Sequence, residues 1–221
     1  MQYTVICDCC QEITGESSLT FAVDECIISY RNQGENNVCD TSIFYNYAVK
    51  SEFGEITVVW RYADKKVVRV FLPKQRGLFN SSVYKSSRVR AIPAQDVGAT
   101  CRKMMSLLTG EKVHVSLTAL DWSMTYPFQM RVLRMEHRIP HGMVSTYGRL
   151  AHKLGHPRAA RAVGTALARN PFPIIIPCHR TIRSDRSLGG YAGGLAMKRE
   201  LLELEGLEFD RQGRVVTDRL W

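Results

Sequence analysis

The chain has 221 residues and nothing in it approaches the roughly 20-residue apolar run of a membrane-spanning helix. Its longest candidate, Phe172 to Pro177, is six residues and is broken by Pro173. The start, Met1 to Cys10, lacks a basic stretch followed by an apolar one, so no secretory signal is expected. Internal repeats and low-complexity tracts are missing. No glycine-rich segment ends in Gly-Lys-Ser or Gly-Lys-Thr, which excludes a phosphate-binding P-loop. Seven cysteines, an odd number, stand at 7, 9, 10, 26, 39, 101 and 178. An odd count without a signal argues against a disulfide framework and for a reducing intracellular compartment, the nucleus in a eukaryote or the cytoplasm in a prokaryote.

Acidic residues are scarce where basic ones are dense. From Arg131 to Arg199 there are 13 Lys/Arg and only 2 Asp/Glu, whereas Met1 to Met130 carries 14 against 13. The net charge of +9 is therefore concentrated in one stretch. Such an excess suits a polyanion such as nucleic acid, and a solvated basic face equally well. Hydrophobic residues at 45% and charged residues at 23% are ordinary globular composition and exclude wholesale disorder.

The first 50 residues are the least legible. Glu55 to Tyr62 and Lys66 to Leu72 are rich in Val, Ile, Trp and Phe and flank a turn-like Ala63-Asp64-Lys65, which predicts a β-hairpin. Asn80 to Arg90 is polar and serine-rich and reads as a loop or linker. Val97, Cys101, Met104, Met105 and Leu108 have helical spacing, and Gly110 stops that helix. Val113 to Leu120 reads as a further strand. Pro127 can open a helix whose apolar face is Phe128, Val132 and Met135. Ile139-Pro140-His141-Gly142 is a turn. Ser145 can cap a helix to about Leu154, with Gly155 as its stop. His156 and Pro157 then open an alanine-rich helix from Pro157 to about Arg169. Two short helices across a glycine-containing turn fit a helix-turn-helix and an ordinary helical hairpin. Arg149, Lys153, Arg158, Arg161 and Arg169 favour DNA as the partner.

The chemistry is concentrated further on. An apolar strand, Ile174 to Ile176, ends at Pro177 and delivers Cys178, His179 and Arg180. A free thiol at neutral pH is only a few per cent ionised, and a neighbouring imidazole and guanidinium can favour the nucleophilic thiolate. A buried structural cysteine is the alternative. No second cysteine lies nearby, so a local Cys-x-x-Cys zinc site is excluded. Leu188 to Leu195 is glycine-dense and opens onto a helix from Ala196 to Glu205. Glycines of that density let backbone approach a ligand closely, or form a flexible linker.

These residues together resemble the O6-alkylguanine-DNA alkyltransferase family, also called methylated-DNA–protein-cysteine methyltransferases. The resemblance runs from Tyr126 to Gly206. It rests on Tyr126-Pro-Phe-Gln, Ile139-Pro-His-Gly142, Ser145-Thr-Tyr147 and Pro157-Arg-Ala-Ala-Arg161-Ala-Val-Gly164. Asn170-Pro, Ile176-Pro-Cys178-His179-Arg180, Gly189-Gly-Tyr191-Ala-Gly193-Gly194-Leu195, Lys198 and Leu204-Glu205-Gly206 complete it in the family's order.

The resemblance implies an α+β protein. Residues 1–120 would form a non-catalytic, ribonuclease H-like α/β domain with a small antiparallel sheet. Residues 121–221 would form a mainly helical DNA-binding and alkyl-acceptor domain with a helix-turn-helix. The implied activity is DNA repair by direct reversal, a single irreversible transfer of the alkyl group from O6-alkylguanine in double-stranded DNA to Cys178. A regulator that binds DNA through the helix-turn-helix without chemistry is the alternative, and a cysteine hydrolase using Cys178 and His179 is a third.

Under the resemblance His179 withdraws the thiol proton through a water, Glu205 orients that imidazole, and Asn170 braces the turn. Tyr147 donates a hydrogen bond to the purine. Backbone groups of Cys178 and Thr181 read its amine, and Tyr191 and Ala192 wall the pocket, with Lys198 also in the substrate site. Arg161 fills the gap left by an extruded nucleotide, while Arg158, Ala160, Ala162, Gly164 and Arg180 face DNA. No cofactor is required and no membrane is involved. The protein is expected to be a monomer, with cooperative binding along DNA as an option. Cys7 and Cys26 are candidate ligands of a structural zinc found in some relatives. Ala192 stands where the family often has Ser, and Thr181 to Ser187 is more charged than expected. Non-catalytic relatives carry Trp in place of the acceptor cysteine, and this chain retains Cys178.

Overall fold

The computed structural model describes residues 3–5, 13–15, 44–61, 63–75, 95–218 and 220–221. Cys7 and Cys26, with Cys9, Cys10 and Cys39, and the loop expected at Asn80 to Arg90, lie outside the described residues. The chain divides into two compact units, Met1–Asp40 and Thr41–Trp221. Within the first, β1 (Tyr3–Val5) pairs antiparallel with β2 (Ile13–Gly15).

The second unit opens with a three-stranded antiparallel sheet in the order β3 (Phe44–Ser51), β4 (Gly54–Arg61), β5 (Val67–Phe71). The hairpin expected from the Val- and Ile-rich runs is β4–β5. Its turn is held by Asp64, whose carboxylate accepts both Arg61 nitrogens at 3.0 Å and the Lys66 amide at 3.3 Å. Strand β3 was not legible, because Asn46, Tyr47 and Lys50 interrupt its apolar pattern. Ile56, Val58, Val59, Val67, Val70 and Phe71 are buried. Each fully buried side chain of that size stabilises by about 1.5–3 kcal/mol.

The helices follow: α1 (Gln95–Leu108), α2 (Pro127–Glu136), α3 (Tyr147–Lys153), α4 (Ala160–Ala168) and α5 (Leu195–Leu204). One contiguous core joins the sheet to all five, from Tyr45 through Met104, Leu133 and Val163 to Leu201. A smaller cluster of Val144, Ile182, Leu202, Leu207 and Val215 lies under the C-terminal hairpin, which is formed by the last two strands of the chain. Among the described residues no helix is long and apolar enough to cross a membrane.

Four expectations need correction. Val113 to Leu120 is not a strand: Ser116 caps a 3-10 turn at Leu117–Ala119 by accepting the Thr118 amide, and only Leu120 bridges to Val67. Ile174 to Ile176 is a buried tight turn, with Ile174 at φ 72° and the Ile176 amide donating to Phe172. Thr146, not Ser145, caps α3, since its hydroxyl accepts from the Arg149 amide. Ser145 is drawn into a two-residue parallel pairing (β6, Ser145–Thr146, with β7, Thr181–Ile182). Helix α4 begins at Ala160 rather than Pro157.

The face of α2 also differs. Phe128 and Met135 are half-buried, and the fully buried stripe is Gln129, Val132, Leu133 and Glu136. Polar Gln129 belongs inside because its amide donates to Ala166 and Arg169 carbonyls at the end of α4, groups that no helical amide can reach.

Candidate active site

Cys178 is delivered by a turn built on one asparagine. The Asn170 carbonyl oxygen accepts the Phe172 amide at 2.9 Å. Its amide nitrogen donates to the Ile176 carbonyl at 3.1 Å and to Cys178 Sγ at 3.3 Å. The Cys178 amide donates to Ile176 across Pro177 (φ −79°, ψ 60°), an inverse γ-turn that proline's fixed φ favours. A 3-10 turn at Cys178–Arg180 follows, closed by the Thr181 amide on the Cys178 carbonyl. Pro171, which directly follows Asn170, offers its carbonyl to Val70 on the outer edge of β5. The sheet therefore sets the height of the acceptor turn.

Cys178 is 8% exposed. Burial pushes its thiol up to about 11, opposed by the Asn170 hydrogen bond and the Lys198 charge and reinforced by Glu136. The resting sulfur is thus a protonated thiol, not a thiolate held by its neighbours. A thiol of this kind needs a base to become a nucleophile, and the next residue in the chain, His179, carries an imidazole. Its Nε2 lies 2.8 Å from Glu205 Oε1. Burial alone would raise the Glu205 carboxyl, but hydrogen bonds and charges from His179 and Arg180 outweigh it and hold it down to about 2. An ionised carboxylate only accepts, so Nε2 carries the hydrogen and Nδ1 keeps its lone pair. Burial keeps this imidazole below its ordinary pKa, against the pull of Glu205. It is neutral, and its buried Nδ1 has no hydrogen-bond partner among the described residues.

Arg180 does not face DNA as expected. Its guanidinium is buried, with Nε and a terminal nitrogen on Glu205 at 2.9–3.0 Å and the other terminal nitrogen on the Ile139 carbonyl at 2.7 Å. The Gly142 amide completes the carboxylate at 3.2 Å. Gly142 has φ +73°, and a Cβ there would sit 3.1 Å from the Glu205 carbonyl, so this turn requires glycine.

Lys198 is likewise sunk in protein. Its ammonium donates to the Thr181 and Leu188 carbonyls at 2.6 and 2.5 Å, and burial lowers it to about 8. It fastens the glycine loop to the acceptor turn rather than reaching outward. The Thr181 hydroxyl donates to Glu136 Oε2 at 2.6 Å, and the Thr181 backbone groups, the ones expected to read the purine amine, belong to the turn that follows Cys178. Tyr147 leads α3, and its ring lies between Gly164 of α4 and Gly189 of the loop. A Cβ on Gly189, at φ +67°, would come within 2.9 Å of the Tyr147 hydroxyl. Tyr191 packs edge-on against His179 with ring centroids 6.3 Å apart, and Ala192 beside it is half-buried.

The structure brings Asn170, Cys178, His179, Glu205, Thr181, Tyr191 and Lys198 into one linked cluster. Arg158, Arg161 and Ala162 are exposed on and before α4, with Ala160 and Gly164 half-buried, while Val163, Ala166 and Leu167 face inward. Arg149 and Lys153 are partly engaged: Arg149 donates to the Trp221 and Leu220 carbonyls, and the Lys153 ammonium lies 3.7 Å from the Trp221 ring centre. Sequence reasoning missed Gln129, Glu136 and the Gly142 amide. A Gln and a Glu on the apolar stripe of α2 were the available signal. Among the described residues no group of three or more His, Cys, Asp or Glu could hold a metal ion.

Comparison with known proteins places the chain among relatives. The family described as "6-O-methylguanine DNA methyltransferase, DNA binding domain" matches residues 127–207. The methylated-DNA–protein-cysteine methyltransferase of Methanothermobacter thermautotrophicus is 45% identical over 105 residues, 48% of this chain and 58% of that protein. The enzyme of that name from Haemophilus influenzae is 46% identical over 86 residues, 39% of this chain and 48% of its own. The chain thus spans about half the length of the curated relatives it matches. The structure of Mycobacterium tuberculosis OGT in complex with DNA is 31% identical, aligns over 73% of this chain and 92% of that one, and gives a TM-score of 0.59. The O6-methylguanine-DNA methyltransferase of Pyrococcus kodakaraensis is 26% identical over 74% of this chain and 99% of its own, with a TM-score of 0.54. An Asn-braced cysteine beside a carboxylate-oriented imidazole, on a fold shared over nearly the whole of these structures, makes the chain a member of the O6-methylguanine-DNA methyltransferase family.

Proposed function

We propose that this chain repairs alkylated DNA by moving an alkyl group from guanine O6 onto Cys178, once per molecule. The observation that carries the reading is the linked pair His179–Glu205, which leaves a bare imidazole nitrogen on the residue that directly follows the neutral, buried Cys178 in the chain. Nδ1 takes the thiol proton through a water, and the sulfur attacks the alkyl carbon. The carbon–oxygen bond breaks with its electron pair on the base, the imidazolium returns one proton, and neutral guanine leaves. The product thioether has no neighbour that can reverse it, so turnover stops. No step needs a cofactor.

A base inside a stacked duplex cannot reach this sulfur, so the nucleotide must be extruded, at a cost of a few kcal/mol. Helices α3 and α4 serve as the helix-turn-helix, with α4 in the minor groove and Arg161 filling the gap. The exposure of Arg158, Arg161 and Ala162 supports that role. Tyr147 donates to the purine, and Tyr191 and Ala192 wall its pocket. Residues 121–221 carry binding and chemistry, and residues 1–120, related to ribonuclease H in fold, support them. The protein acts as a monomer on double-stranded DNA in a reducing compartment.

The test is intact mass after incubation with duplex DNA carrying O6-methylguanine. The expected gain is one CH2 group on Cys178, absent in Cys178→Ala. Unchanged mass with DNA still bound overturns the reading and favours a regulator.

A further inference from the structure

Glu136 is a buried ionisable group with no part in the chemistry above. It is 0% exposed at the end of α2. Oε2 accepts the Thr181 hydroxyl, while Oε1 is buried with no partner among the described residues. A bare buried oxygen is far costlier on a carboxylate than on a neutral acid. The charged and titratable groups around it are Cys178 and Arg180 on the acceptor turn, Lys198 on α5 and Tyr147 at the head of α3. Arg180 is committed to Glu205. Lys198 is tied to the same residue as Glu136, since Thr181 gives its hydroxyl to one and its carbonyl to the other.

We propose that Glu136 is a positioning residue for alkyl transfer: through its bond to Thr181 it holds Thr181 and Lys198 against the turn that bears Cys178, and a negative charge placed on its buried carboxyl, bare at Oε1, opposes loss of the Cys178 proton. The inference rests on the repair reading for its substrate but not for its effect on the sulfur. Burial raises the Glu136 carboxyl to about 8, against the Thr181 hydrogen bond and the charges of Lys198 and Arg180. A carboxylate formed there repels a thiolate at Cys178, and the same charge acts on the Tyr147 hydroxyl.

Lys198 titrates in the same range, so the sign needs care. Two ionisable groups lose a first proton more readily than either does alone. Replacing Glu136 by a neutral residue removes one route of proton loss. The cluster of the variant therefore keeps its positive charge to a higher pH, whichever group gives way first. A purely structural loss would change the rate equally at all pH values.

The experiment compares full-length wild type with Glu136→Gln, and with Glu136→Met should the first fail to fold, since Met needs no buried polar partner. Cys178 is challenged with O6-methylguanine duplex DNA and, in parallel, with iodoacetamide, from about pH 6.5 to about pH 9.5. The expected result is a variant-to-wild-type rate ratio that climbs about three- to tenfold across that range with both reagents. A ratio that stays flat with both overturns the inference. Reaction with iodoacetamide alone, with a climbing ratio, upholds it and sinks the repair reading instead.

Discussion

The sheet and the acceptor region share one core but are held together by different forces. In β3–β5 the interior is mostly Val, Ile, Trp, Tyr and Phe, with Asn46 and Thr57 as its polar members, and apolar burial dominates it. Around Cys178 the interior is Asn170, His179, Arg180, Lys198, Glu205 and Glu136, each buried and each bonded to a named partner, with His179 Nδ1 and Glu136 Oε1 left bare. Apolar packing tolerates exchange of similar volumes, whereas a buried polar group left unmatched costs its desolvation in full. The same amount of disturbance should therefore be felt as stability in the sheet and as chemistry at the turn.

Glu205→Gln is the most severe way to test that contrast. It removes the charge that orients His179 and strands the buried guanidinium of Arg180. Alkyl transfer should fall about a hundredfold or more, and stability by about 3–5 kcal/mol, read by single-turnover kinetics and by denaturant unfolding. The pH dependence has a definite sign. The Glu205 carboxyl is depressed in the fold from 4.5 to about 2. Its contribution is thus complete above 4.5 and is lost as the pH falls toward 2. The stability gap between wild type and variant should close across that window. A gap that persists at the acid end contradicts the ionised pair.

Next in size is the contrast between two arginines that composition treats alike. Arg161 is exposed on α4, while Arg149 is bonded to the C-terminal carbonyls. Arg161→Ala should slow repair of duplex DNA about tenfold while sparing reaction with the free base. Arg149→Ala should change duplex repair far less. Equal losses for both variants would break the assignment of Arg161 to extrusion.

The smallest effect on chemistry belongs to the sheet. Ile56→Ala on β4 should cost about 2–5 kcal/mol of stability. Its transfer rate per folded molecule should stay at the wild-type value. A rate loss without a stability loss would mean that the strands do more than set the height of the turn.

What was legible in the sequence follows this division. Runs rich in Val, Ile, Trp and Phe around a turn revealed β4–β5, helical spacing revealed α1, and capping residues bounded α3 to within a residue or two. Strand β3 was hidden because its buried face includes Asn46. Ile174 to Ile176 resembled a strand because composition reports burial, not the positive φ that turns the chain there. Cys178, His179, Glu205 and Asn170 came from a motif, and the structure supplies the bonds that link them. Arg180 and Lys198 were misplaced for one physical reason: a cation in sequence gives no sign of whether its partner is a phosphate outside or a carboxylate and carbonyls inside. Glu136 was overlooked for the converse reason: an acid on an apolar helix stripe is the mark of a buried carboxyl, but sequence names no partner for it.

The central claim is that Cys178 rests as a neutral thiol and depends on His179 for its activation. Titration of thiolate absorbance in the free protein, taken as the difference between wild type and Cys178→Ala, tests it directly. The predicted midpoint for Cys178 is about 11. A midpoint below neutrality would contradict it, since the sulfur would then already be ionised before any base acts.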